Sequence, residues 1–153
     1  MTPVYQTRTG APNGNCFAAC VASLLDRRIE DVDVDVASCG NSLHVLLTKI
    51  QQRANCKIYF VSHEAIVDGI FKTSERYCFA EVCTSVFNDD PHGKGSVWHV
   101  VVCEIADDGK ISLLFNPDQS DQRQKSLQQF RAVGRLFFVK ANNCSVTKIF
   151  PEA

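Results

Sequence analysis

Helical patterns dominate the first third of the chain and antiparallel strand patterns the rest. Patterns segregated in this way imply an α+β architecture, with helices packed against one side of an antiparallel sheet. Two stretches carry the helical signal. In the first, from Asn13 to about Asp26, residues Phe17, Cys20, Val21, Leu24 and Leu25 fall on one apolar face at about 100° per residue. In the second, Ser42 is placed to cap a helix in which Leu43, Leu46, Leu47 and Ile50 form an i, i+3, i+4, i+7 stripe. Strands are predicted over 57–62, 77–82, 97–106, 110–115 and 132–140, with a last one over 145–150. Asp107-Asp108-Gly109 supplies a hairpin turn after the third. Residues 63–71 read as a short helix, 126–130 as a helical turn and 88–95 as a loop. The run 29–36 alternates apolar and acidic residues, as an extended connector or an exposed strand with its acidic side in solvent. Nothing divides the 153 residues, and a single domain over 1–153 is expected.

A formal net charge of −1 gives no electrostatic basis for binding nucleic acid or an anionic membrane. No apolar run approaches the ~20 residues of a membrane span. Residues 1–8 lack the basic-then-apolar pattern of a signal peptide, so a cytoplasmic protein is expected. The eight cysteines, at 16, 20, 39, 56, 78, 83, 103 and 144, are scattered, and several lie inside apolar patterns. In a reducing cytosol most are expected as free thiols. Cys78, Cys83, His92, His99 and Cys103 could be gathered around zinc, but paired Cys-x-x-Cys spacing is absent, and no metal or other cofactor is expected.

Cys16 falls in the first turn of the first helix, after two residues suited to N-capping, Asn13 and Asn15. The free N–H groups and dipole of a helix start favour a negative charge, and thiols so placed can titrate as low as roughly 3.5–7.5. A cysteine that merely packs as a small apolar residue is the competing reading. A nucleophilic thiol also needs a base and a group to orient that base. His99, at the start of the run 97–106 and beside Trp98, is the candidate base. His44 lies off its helix stripe, His63 opens a polar segment and His92 sits in a loop. The returning strand ends at Asn116-Pro117, since proline cannot continue a ladder. A turn centred on Asp107-Asp108 sets Asn116 opposite His99, and one centred on Asp108-Gly109 sets Asp118 there. Asn116 is the preferred orienter and Asp118 the alternative. For an oxyanion, the Cys16 N–H and the Gln6 side chain are the candidate donors, with Asn13 and Asn15 competing with Gln6.

The order Gln6, then Gly14-Asn15-Cys16-Phe17-Ala18-Ala19-Cys20, then Trp98-His99-Val100-Val101-Val102, then Asn116-Pro117 resembles that of a small papain-like cysteine peptidase. In particular it looks like the bacteriocin-leader peptidases attached to ABC exporters, and their stand-alone relatives in bacterial and phage genomes. There Gln, Cys, His and Asp-Pro follow in this order. The resemblance spans about residues 4–140. It implies a papain-like fold, a nucleophile at Cys16, a base at His99, an orienter at Asn116, an oxyanion donor at Gln6, and a peptide or protein substrate. The chain departs from the family in three places. Its Gln-to-Cys interval is longer, Asn stands for Asp before proline as in papain itself, and Phe17 follows the cysteine where glycine is common. The expected function is a cysteine peptidase or thiol acyltransferase acting on peptide or isopeptide bonds. The alternative is a catalytically silent papain-like binding or accessory protein.

Overall fold

Val100, Val101 and Val102 are all buried, so the strand that carries them must be covered on both faces. The computed structural model describes residues 1–9, 14–40, 42–83 and 98–142 and shows how this is done. Five strands, β1 (Cys56–Ser62), β2 (Tyr77–Cys83), β3 (Trp98–Ile105), β4 (Ile111–Phe115) and β5 (Ala132–Ala141), form one sheet in the order β1-β5-β2-β3-β4. All four pairings are antiparallel. Their β-branched and aromatic residues alternate cleanly between two cores. Phe79, Val100, Val102 and Phe137 face one, and Cys78, Ala80, Val101, Cys103, Leu136 and Phe138 face the other.

The first face is covered by α1 (Cys16–Leu25) and α2 (Leu43–Ala54). In α2 the Ser42 hydroxyl accepts from the Val45 N–H at 3.2 Å, and Leu47, Ile50 and Ala54 are buried. Helix α1 is buried more completely than a single apolar stripe predicts, from Ala18 through Ser23. The N-terminal segment explains this by lying along its far side. Thr2 N–H donates to the Ser23 carbonyl, and Val4 N–H donates to the Ser23 hydroxyl at 2.9 Å. Phe17 of α1 stands edge-on to Phe79 and Phe137, which are themselves stacked at 4.8 Å between centroids.

The second face is covered by Leu127 and Phe130 around a 3-10 turn (Leu127–Gln129), and by Ile66 and Phe71 in and after the short helix α3 (His63–Val67). The helical elements are therefore divided between both sides of the sheet, although α1 and α2 share one side as expected. Residues 29–36 are neither strand nor extended connector. They carry 3-10 turns at Ile29–Asp31 and Val36–Cys39, because Ile29 and Val32 are drawn into the core beneath α1. The predicted strand 145–150, the loop 88–95, Asn13, His92 and Cys144 lie outside the described residues. Among the described residues the seven cysteines are free thiols, no group of three or more His, Cys, Asp or Glu could hold a metal ion, and no helix is long and apolar enough to cross a membrane.

Candidate active site

The hairpin from β3 to β4 fixes where the predicted base and orienter meet. It closes with Ala106 N–H donating to Lys110 O at 2.9 Å and Gly109 N–H to Ala106 O at 2.8 Å, with Gly109 at φ +86°. Pairing runs Ile105↔Ile111, Glu104↔Ser112 and Cys103↔Leu113, centred on Asp108, and a bulge at Leu114 then gives Val102↔Phe115. Neither turn centre considered from the sequence is realised. The ladder ends there, so His99 has no backbone partner on β4. Asn116, the next residue, reaches back with its side chain, and its Oδ1 lies 2.7 Å from His99 Nε2. Asp118 does not take this place. Its carboxylate accepts from Ser120 N–H at 2.9 Å and from the Ser120 hydroxyl at 2.6 Å.

The Asn116 amide is held one way round. Its Nδ2 donates to the Asp121 carbonyl at 3.0 Å, and its Oδ1 accepts the Asp118 N–H at 2.9 Å. An oxygen facing His99 requires Nε2 to be the donor, which leaves Nδ1 with its lone pair when the ring is neutral. Asn116 is only 4% exposed. Burial holds the His99 imidazole below its ordinary 6.5, against the opposing pull of the Asn116 hydrogen bond and the Asp118 and Asp121 carboxylates.

Cys16 is the first residue of α1, as predicted, but its thiol is not activated at rest. Desolvation pushes it up to about 11, although the backbone N–H groups of Val100, Phe17 and Cys16 itself favour the thiolate. The helix start is outweighed because the sulfur lies against β3 and has lost hydration there, although the residue as a whole is half-buried. The residue beside the sulfur on β3 is thus the neighbour of His99. None of the hydrogen bonds among the described residues joins the Cys16 thiol to His99. Along the pleat His99 belongs to the alternating set of Val101 and Cys103, whereas α1 packs over that of Val100 and Val102.

Asn15 precedes the helix but its side chain does not cap it. It is 1% exposed and fully committed elsewhere. Its Oδ1 accepts the N–H groups of Thr7 and Arg8, each at 3.0 Å, while Nδ2 donates to Thr7 Oγ1 at 2.9 Å and Asp33 Oδ2 at 3.2 Å. Asn15 is thereby removed from the candidate oxyanion donors. Asp33, expected in solvent, also pairs with Arg8 at 2.6 Å. This cluster brings Gln6 to the site. Gln6 N–H donates to Pro117 O at 2.9 Å, and Gln6 Nε2 donates to Arg8 O at 3.0 Å, the carbonyl that also accepts the Asn15 N–H. One Nε2 hydrogen of Gln6 is taken up in this way, and its Oε1 is buried with no partner among the described residues.

The structure therefore puts His99 and Asn116 in direct contact, sets the Val100 N–H against the Cys16 sulfur and ties Gln6 to Pro117 through the backbone. Sequence reasoning missed the supports of Asn116, which are the Asp121 carbonyl and the side chain of Gln122. Asp118-x-Ser120, a common turn pattern, was the available signal for them. A concavity of about 930 Å³ between Lys72–Arg76 and the turn Ala106–Gly109 lies at the other end of β3 and carries no part of this site. No family model and no curated protein matches the chain.

Proposed function

We propose that the chain is a papain-like cysteine peptidase or related thiol acyltransferase acting on peptide or isopeptide bonds of a peptide or protein substrate. Cys16 is the nucleophile, His99 the base and Asn116 the orienter. The observation that carries this reading is the 2.7 Å contact between His99 Nε2 and a buried Asn116 Oδ1 of fixed orientation, beside the Val100 N–H that acts on the Cys16 sulfur. For the reaction the His99 ring has to reach round the end of the β4 ladder from the pleat set opposite α1; its Nδ1 then takes the thiol proton as sulfur attacks the carbonyl carbon, and gives it to the leaving amine. The oxyanion meets the N–H groups at the α1 start and the remaining N–H of Gln6. Water or an acceptor amine then releases the acyl group. Both partners are neutral at rest, so binding of substrate, rather than a standing ion pair, starts the transfer; hydrogen bonds of this kind commonly tighten only in the substrate complex. A cytoplasmic setting that keeps the thiols reduced fits this reading.

A thiol pushed up to about 11 and without a hydrogen bond to His99 among the described residues favours the second reading, a catalytically silent papain-like binding protein. Peptide probes bearing an epoxide or vinyl sulfone separate the two. Labelling at Cys16 that is lost in His99→Ala supports the peptidase. A Cys16 that reacts with alkaline iodoacetamide but with none of the peptide probes supports the binding protein.

A further inference from the structure

Gln122 is exposed, lies outside both cores and makes no hydrogen bond to His99 or Cys16 among the described residues, yet its hydrogen bonds converge on the turn that holds the imidazole's partner. Its Nε2 donates to the Asn116 carbonyl at 3.0 Å and to the Asp118 carbonyl at 2.6 Å. With Asn116 Nδ2 on the Asp121 carbonyl, Asp118 N–H on Asn116 Oδ1, and Ser120 on the Asp118 carboxylate, residues 116–122 form a closed hydrogen-bonded turn. No paired strand holds Asn116 in place, because β4 ends at Phe115. We propose that Gln122 is a positioning residue, which closes this turn, keeps the Asn116 amide oxygen toward His99 and so selects the Nε2-protonated tautomer of the base.

The physical argument is one of alternatives. If the turn opens, the Asn116 amide loses its fixed partners and can rotate, presenting NH₂ to the ring. The ring must then accept at Nε2 and carry its proton on Nδ1, the nitrogen that has to be free to take the thiol proton. Two donated hydrogen bonds from a side chain in contact with water give a modest bias, which is sufficient because the two tautomers of an imidazole are close in free energy.

This role rests on the reading of His99 as the base, but its test needs no substrate. Nitrogen NMR of the His99 ring is compared in wild type, Gln122→Met, and Gln128→Met, an exposed glutamine outside the turn. In Gln122→Met the ratio of Nδ1–H to Nε2–H tautomer should rise roughly two- to tenfold, the weight of about one net hydrogen bond, and in Gln128→Met it should not move. An unchanged ratio in Gln122→Met, with or without a lower melting temperature, overturns the proposal, for Gln122 would then only brace a loop. A shifted ratio in a protein whose Cys16 is inert to peptide probes keeps the positioning role and removes the peptidase reading.

Discussion

His99 Nε2 and Asn116 Oδ1 lie 2.7 Å apart across a hairpin whose ladder has already ended, at Val102 and Phe115. Their contact depends on a side-chain network rather than on strand register, and it can be tested without disturbing the sheet.

Cys16 should be the first thiol to react, since it is half-buried and the six other described cysteines are buried. With the thiol pushed up to about 11, iodoacetamide labelling should rise about tenfold per pH unit and still be rising near pH 10. Mass spectrometry of peptides quenched at successive pH values reads this directly. A plateau near neutrality would show a stabilised thiolate instead.

His99→Ala should reduce peptide turnover by roughly 10²–10⁴ and leave simple alkylation of Cys16 nearly unchanged, because burial rather than the imidazole sets the resting state of the thiol. Asn116→Ala should cost less turnover than His99→Ala, since packing still confines the ring. Paired measurements of kcat and of alkylation rate make the comparison. Parallel losses in both would point to a standing thiolate–imidazolium pair.

Stability should fall at both ends of the pH range. The folded Cys16 keeps a proton that the unfolded chain releases near the ordinary thiol value of 9.0, so its contribution is complete below 9.0 and is lost as pH rises toward about 11. Burial shifts Cys20 and Cys56 in the same direction, as do the neighbouring Cys78 thiol and burial for Cys103. His99 is depressed when folded, so its contribution is complete above 6.5 and is lost as pH falls below that value. Urea midpoints measured against pH should show both declines, the alkaline one reduced in Cys16→Ala and the acid one in His99→Gln.

Asn15→Ala should destabilise by about 2–4 kcal/mol, since it leaves the N–H groups of Thr7 and Arg8 without their buried acceptor. Asn15→Asp keeps that acceptor but sets a second carboxylate against Asp33, and should not restore the melting temperature.

The regular elements were legible because their periodicities are strong. The run predicted over 132–140 is the strand Ala132–Ala141, and the stripe through Leu47 and Ile50 is buried as read. What stayed hidden depends on partners distant in sequence. An asparagine before a helix has the same local appearance whether it caps the helix or, like Asn15, reaches Asp33 across 18 residues. The helix start at Cys16 predicts a lowered thiol, whereas the desolvation that raises it comes from packing against β3. After the bulge at Leu114 the register alone would favour Asp118, and Asn116 takes the place because its own side chain is held by the Asp121 carbonyl and the Asp118 N–H, partners that no turn residue announces.

The last of the described strands occupies an inner position in the sheet, since β5 lies between β1 and β2. Phe137, on that strand, is half of the stacked pair against which Phe17 seats α1. During synthesis the helix bearing Cys16 and the hairpin bearing His99 both emerge from the ribosome before Phe137. The aromatic seat of Phe17 is therefore completed only when β5 inserts between β1 and β2, so the final fixing of α1 over the sheet waits on a long-range closure.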